Sequence, residues 1–388
     1  MVFYILATIG FMVSAALRIA DTVLPQIATT FQVSIGDTAV VITAFAIVYG
    51  MCQLIHGGLG DHFGKLKVVF ISSILGGFAT YLCAHADSLA MLSFFRALSG
   101  AAMAASVPLS LAYIADTVAY ENRQMAIGRY MSGIMIGYVF GVAAGGIIAD
   151  WIGWRDLFRV FGGLMIFSGG ILCYAIYNRR APPEIDTGAR IRMSNYTSLL
   201  KSKSFRHIFI VYLVEGIALF GTIGFASALM RDRFDLSYTH IGLLLAEFGI
   251  GGLMFSLSIK RLRKLFSQIQ FLIFGGIFTC GAYLSLAFIQ EPIGLFLIFL
   301  FLGFGFYMFH LTLQTHATVV SPKAQGTAMS LFSLAIFTGT SIGAQIFGYL
   351  IDNFSFIHAF VTAAVIMFTV TLWYSRHAIK QAKKIYII

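Results

Sequence analysis

Five ionisable residues stand inside long apolar runs of the chain: Arg18, Asp21, Arg96, Glu215 and Glu247. A charged side chain at the centre of a bilayer costs about 2.5–3.5 kcal/mol on insertion scales, so such residues need a partner or a wet cavity. Arg18 and Asp21 are three apart and share a helical face, which Pro25 extends. Arg96 lies about eight residues into its own run, and at ~1.5 Å per residue this is near the depth of that pair. It is expected to approach Asp21 or to line the same cavity. Glu215 and Glu247 lie about ten and nine residues into theirs, near the midplane. Neither has a basic residue within one turn on its own run. Burial then favours the protonated carboxyl, as a proton carrier requires, whereas neighbouring arginines favour an ionised Asp21. His310, Gln314 and His316 share the cytoplasmic half of a further run, where they are candidates to line an inner vestibule, with packing or interfacial roles expected first; His56 ends another run. The chemistry open to such a set is reversible binding of protons and of a polar ligand.

The runs dominate the chain. Of 388 residues, 59% are hydrophobic and 11% charged, against roughly 25% charged in a soluble domain. A water-soluble fold always leaves a large polar exterior, so lipid must solvate most of this surface. A helix needs about 20 apolar residues to cross the hydrocarbon core. Twelve runs qualify: 2–27, 38–58, 67–86, 88–115, 126–149, 157–177, 206–230, 238–259, 266–289, 292–316, 324–350 and 355–375. They are continuous rather than alternating, which selects helices over a closed barrel. The first run lacks a basic leader, so it is expected to be a span and not a cleaved signal. Cys52, Cys83, Cys173 and Cys280 all lie within apolar runs and form no Cys-x-x-Cys pair, so neither a disulfide frame nor a zinc site is expected.

The net charge of +10 could suggest nucleic acid in a soluble protein. Here the basic residues gather in alternate short loops instead. Lys65, Lys67, Arg123, Arg129, the group from Arg179 to Arg206, the group from Lys260 to Lys264, Lys323 and the tail fall on one side. Arg155, Arg159, Arg231 and Arg233 fall on the other. That bias puts both termini in the cytoplasm.

The longest polar stretch, Asn178 to Ser204, contains Pro182 and Pro183 and reads as a linker. It divides the chain into a six-helix bundle over 1–178, a cytoplasmic linker over 179–204 and a second bundle over 205–388. The halves repeat. Gly137, Gly141, Gly146 and Asp150 recur as Gly339, Gly343, Gly348 and Asp352 at a constant offset of 202 residues. Both copies end in Gly-x-x-x-Asp, the mark of a parallel repeat about an axis along the membrane normal.

Residues 57–67 read GGLGDHFGKLK. This loop resembles the signature of the major facilitator superfamily, Gly-x-Leu-x-Asp-x-x-Gly-Arg-Arg, through Gly57, Leu59, Asp61, Gly64 and the basic Lys65; Leu66 departs from it. Gly64 suits a tight reversal, and Asp61 can accept from exposed helix amides. The resemblance implies that Asp61 helps to lock the cytoplasmic gate. Arg96 and Gly100, the charged loop with Asp116, Glu121 and Arg123, and the stretch GYVFGVAAGG with Gly137, Gly141, Gly145 and Gly146 are similar to further family segments. The last resembles the span 5 motif of exporters, with Val142 where that motif carries Pro. The Asp21-x-x-x-Pro25 spacing resembles multidrug antiporters, which implies proton and substrate binding at Asp21. The matching loop of the second half, 259–264, lacks the Asp.

The fold expected is all-α, twelve transmembrane helices in two pseudo-symmetric bundles. The resemblance implies a monomeric secondary transporter in a bacterial cytoplasmic membrane, driven by the proton gradient and needing no cofactor. Proton-coupled export of a drug or metabolite is the expected activity. Uptake by symport is the alternative, and a receptor that does not transport stands behind both. No enzyme is expected: no catalytic constellation or metal-spaced cluster is apparent. The partners are a small molecule, protons and lipid, not nucleic acid.

Overall fold

The computed structural model describes residues 2–178, 193–320 and 325–385, and the elements there are helical throughout. Twelve helices are long and apolar enough to cross a membrane: spans 1 to 12, at Val2–Phe31, Ala39–His56, Lys65–Cys83, Leu89–Thr117, Met125–Ile152, Trp154–Tyr177, Lys203–Phe234, Tyr238–Leu262, Gln268–Phe288, Gly294–Ala317, Thr327–Asn353 and Phe356–Ile379. Each lies within a few residues of its hydropathy run. With an even number of spans, both chain ends fall at one face, the termini-bearing end; the opposite face is the far end. Of the expected linker, 179–192 lies outside the described residues, while Met193–Lys201 forms a short helix.

Short turns make successive spans antiparallel, while the broadest packing joins spans that are not successive, such as 1 with 5, 3 with 6, 8 with 10 and 9 with 12. Gly64 ends span 2 and begins span 3 with φ +94°, a left-handed value that costs glycine little, and its amide donates to the Gly60 carbonyl at 3.0 Å. Lys65, next in sequence, reaches Asp116 at the end of span 4 at 2.8 Å and so ties two loops of the first bundle together.

Small residues decide which helices approach closely. Gly137 and Gly141 of span 5 face the main chain of span 1 at Phe11 and Ala15, where any Cβ would collide. Their repeat mates Gly339 and Gly343 of span 11 face span 7 at Leu213 and Ile217. Gly145 stands apart, with about van der Waals room for a methyl group before Ile19. Gly146 meets Tyr238 and Gly242 of span 8, and Gly348 meets Gly36 just before span 2. The repeat therefore writes one rule twice. The upper glycines join a bundle's own helices, and the last glycine joins the two bundles at the far end.

Span 7 is not a regular helix. Its α-helix ends at Glu215, a π-helical turn covers Gly216–Phe220, a single turn follows at Gly221–Ile223, and Ala226–Phe234 completes it. Gly216 and Gly221 bring this turn against Ile336 and Gly343 of span 11. Such π-turns loosen the hydrogen-bond ladder and occur often at functional sites.

Candidate functional site

A cavity of about 240 Å³ lies between the bundles, walled by spans 1, 5, 7, 10 and 11. It runs from Arg18 and Tyr138 at mid-depth to Gln314 and Met329 toward the termini-bearing end. Its walls are largely aromatic. At the far end the bundles are in contact, with Thr43 of span 2 bonded to the Ser341 carbonyl of span 11 at 3.3 Å and accepting from Gln345 at 3.2 Å. A larger concavity of about 870 Å³ opens sideways between spans 9 and 10 and includes none of the five intramembrane charges.

Arg18 and Asp21 form an ion pair at 2.9 Å on one face of span 1, as their spacing requires. Only the arginine lines the cavity. Its guanidinium lies 4.1 Å from the ring centre of Phe220, in the π-turn of span 7, and 5.8 Å from that of Tyr138. Asp21 is 3% exposed and packs behind it, beside Gly224.

Arg96 meets the first of the two placements expected of it, since its charge acts on Asp21, but not the second. It is 1% exposed and absent from the cavity wall. Its Nη1 donates to the Ala16 carbonyl of span 1 at 3.2 Å, and its Nε to the Val41 carbonyl of span 2 at 3.5 Å. The guanidinium covers Phe45 at 4.2 Å. Its depth is as expected, but span 4 turns it into the seam with spans 1 and 2. It makes no direct bond to Asp21.

Glu215 meets its partner from another span. Its own span offers it no basic partner, but span 10 does: His310 Nδ1 is hydrogen-bonded to its carboxyl oxygens at 3.1 and 3.2 Å. Glu215 is fully buried at 0% exposure, and His310 is the member that lines the cavity. The imidazole is held between Phe306, stacked at 5.1 Å, and Tyr212, edge-on at 5.4 Å. The two pairs are thus built alike. In each, the basic group faces the cavity and the acid stands behind it.

Glu247 is the third acid. It lies half-buried in a lateral groove of about 420 Å³ between spans 8 and 10, with Leu243, Pro292 and Phe296, and not in the central cavity. Depth was readable from its position in the run, whereas the direction of the side chain around the helix was not.

The remaining candidates settle near the ends. His316 bonds Tyr374 at 3.2 Å and Gln268 at 3.3 Å, linking spans 10, 12 and the start of 9. His56 bonds the Cys52 carbonyl of its own helix at 2.7 Å. Gln314 lines the cavity. In the loop motif Leu59 is exposed, while the surroundings of Gly57 and the side chains of Asp61 and Glu121 lie outside what the structure describes. The residues missed in the sequence are the aromatic ones, Tyr138, Tyr212, Phe220, Phe306 and Tyr307. In a chain with 38 Phe and 17 Tyr, nothing but tertiary packing sets them apart.

A model of the Major Facilitator Superfamily matches residues 6–324 and 208–385 of the chain. Among curated proteins, the chain is 24% identical over 372 residues to the uncharacterized MFS-type transporter YceJ of Bacillus subtilis (strain 168), covering 94% of this chain and 93% of that one. It is 23% identical over 316 residues to the multi-drug resistance efflux pump PmrA homolog of Lactococcus lactis subsp. lactis (strain IL1403), covering 79% and 77%. The crystal structure of the nucleoside transporter NupG superposes with a TM-score of 0.78 at 14% identity, over 96% of this chain and 98% of that one, a likeness of fold.

Proposed function

The chain belongs to the Major Facilitator Superfamily, and from that premise we propose that it is a proton-coupled antiporter that exports a small organic molecule by alternating access. The reading rests on the dyad of His310 and Glu215 at the cavity wall. With Nδ1 donating to the carboxylate, the ring is held in one tautomer, and Nε2 is the basic nitrogen left for the cavity. A proton arriving at Nε2 makes an imidazolium that Glu215 balances. A ligand that donates a hydrogen bond to the same nitrogen keeps the proton off. Competition for one atom couples the two fluxes, and linkage makes the coupling reciprocal.

Export agrees with the relative named as an efflux pump and with the glycines of span 5. Val142, in the place where the exporter motif carries Pro, favours a second reading, uptake by symport. The transporter sits in the cytoplasmic membrane as a monomer with both termini inside, so the cavity reaches toward the cytoplasm and Asp61 belongs to the inner gate. Proteoliposomes holding a pH-sensitive dye under an imposed gradient test this with a panel of small aromatic acids, amines and alcohols. Dissipation of the gradient by a compound, lost in His310→Gln, is the expected result. Compound flux without proton movement overturns the coupling, and accumulation on the side to which protons flow selects symport.

A further inference from the structure

The cavity's polar groups have a sign. Arg18 and His310 line it, whereas their acids, Asp21 and Glu215, do not. A ligand entering this space meets donors and a permanent cation before it meets either carboxylate. Arg18 is also incompletely satisfied: Nη1 donates to Asp21 at 2.9 Å, while the buried Nε has no partner among the described residues. The buried hydroxyl of Tyr212, on the same wall, has none either. The rings of Tyr138, Phe220, Phe306 and Tyr307 supply the rest of the wall and suit a flat apolar body. At about 240 Å³ the space is smaller than the roughly 300–1,000 Å³ of drug-sized sites, which limits the body to about two fused rings.

We propose that this cavity takes a small aromatic organic acid, with its anionic group on Arg18 and a hydroxyl or similar donor on His310 Nε2. The acid satisfies the guanidinium in competition with Asp21, and the donor requires the unprotonated imidazole nitrogen. This assignment rests on reading the cavity as the transport site and deepens it by naming the substrate class.

The test is equilibrium binding to the purified full chain in detergent, with no gradient applied. The probes are 6-hydroxy-2-naphthoate, the same skeleton with an aminomethyl group in place of the carboxylate, and the same skeleton with a hydroxymethyl group there. The acid is expected to bind at least about 10-fold more tightly than the amine, the scale of one charge-assisted hydrogen bond. Arg18→Gln removes that preference, and Arg18→Lys, which keeps the charge, retains part of it. Thermal unfolding without ligand checks that both variants fold. Should Arg18→Gln fail to fold, Arg18→Lys supplies the second variant and narrows the preference for the acid over the amine. Equal or tighter binding of the amine, a preference unchanged in Arg18→Gln, or no binding of any probe overturns the proposal. Acid binding without gradient-driven flux leaves it standing and overturns the antiport reading. Proton-coupled flux of another compound with no acid binding does the reverse.

Discussion

Asp150 and Asp352 occupy equivalent positions in the two bundles and make the same kind of contact across the interface. Asp150, at the end of span 5, accepts from the amides of Tyr238 and Thr239 at 2.9 and 2.6 Å, where span 8 begins. Asp352, at the end of span 11, accepts from the Gly36 amide at 2.9 Å and the Ser34 hydroxyl at 2.6 Å, just before span 2. The first amides of a helix have no partner within it and favour an anion. Each carboxylate therefore clasps the opposite bundle, and Gly146 and Gly348, four residues earlier, let the main chains come close enough for it to reach.

Losing both clasps should open the far end. Each charge-assisted contact is worth about 1 kcal/mol, so Asp150→Asn with Asp352→Asn shifts the balance between conformers by up to roughly 30-fold. Spin labels at Asp87 and Gln290, on far-end loops of the two bundles, report it in a background whose native cysteines are replaced. The expected result is a longer distance population that is minor in the parent. An unchanged distance distribution in the double variant would reduce both aspartates to helix caps.

Arg96 should matter for folding and not for the ligand. It fills the seam of spans 1, 2 and 4, fully buried, with its guanidinium on Phe45. Arg96→Ala removes that volume and leaves a cavity, at a cost of about 2–4 kcal/mol. The expected outcome is a lower melting temperature and lower yield, with unchanged affinity for a ligand per folded molecule. A variant that melts like the parent but no longer binds ligand would place Arg96 in the site after all.

The spans were legible because a bilayer leaves the backbone one solution, and hydropathy reports it directly. Arg18 and Asp21 were legible as a pair because three residues on one helix fix their relation. The Glu215–His310 dyad was not, since its members are 95 residues apart and meet only through the packing of span 7 on span 10. Arg96 and Glu247 show the same limit from the other side. A run of apolar residues gives the depth of a charge but not its direction around the helix, because spans packed on several sides have no single polar face. The glycine repeat was readable as a repeat, while its division into contacts within and between bundles needed the coordinates.

That division sets up a graded response to methyl groups. Gly339 and Gly343 face the main chain of span 7, so a Cβ there meets atoms that cannot yield, whereas at Gly145 the nearest is 3.8 Å from the added carbon. Gly339→Ala and Gly343→Ala should each cost about 1–3 kcal/mol through overpacking, read as a fall in thermal stability in detergent. Gly145→Ala should be neutral or slightly stabilising, since alanine favours the helix by about 1 kcal/mol. Equal tolerance at all three positions would contradict the close approach of spans 7 and 11.

The exchangeable proton is the last point, and the positions of the acids decide how to look for it. Glu215 stands behind His310, Asp21 behind Arg18, and Glu247 outside the cavity altogether. A ligand that donates to His310 Nε2 must displace a proton from it, so binding of 6-hydroxy-2-naphthoate in weakly buffered detergent should release protons. The release should vanish in His310→Gln. Glu215→Gln removes the charge that balances the imidazolium and should diminish release strongly while leaving binding at Arg18 intact. Glu247→Gln should release as the parent does, because its carboxyl faces the lateral groove. Asp21→Asn unbalances Arg18, so it should strengthen binding of the acid without abolishing release. If instead Asp21→Asn abolishes release while His310→Gln and Glu215→Gln release normally, the proton resides on Asp21 and the dyad is structural.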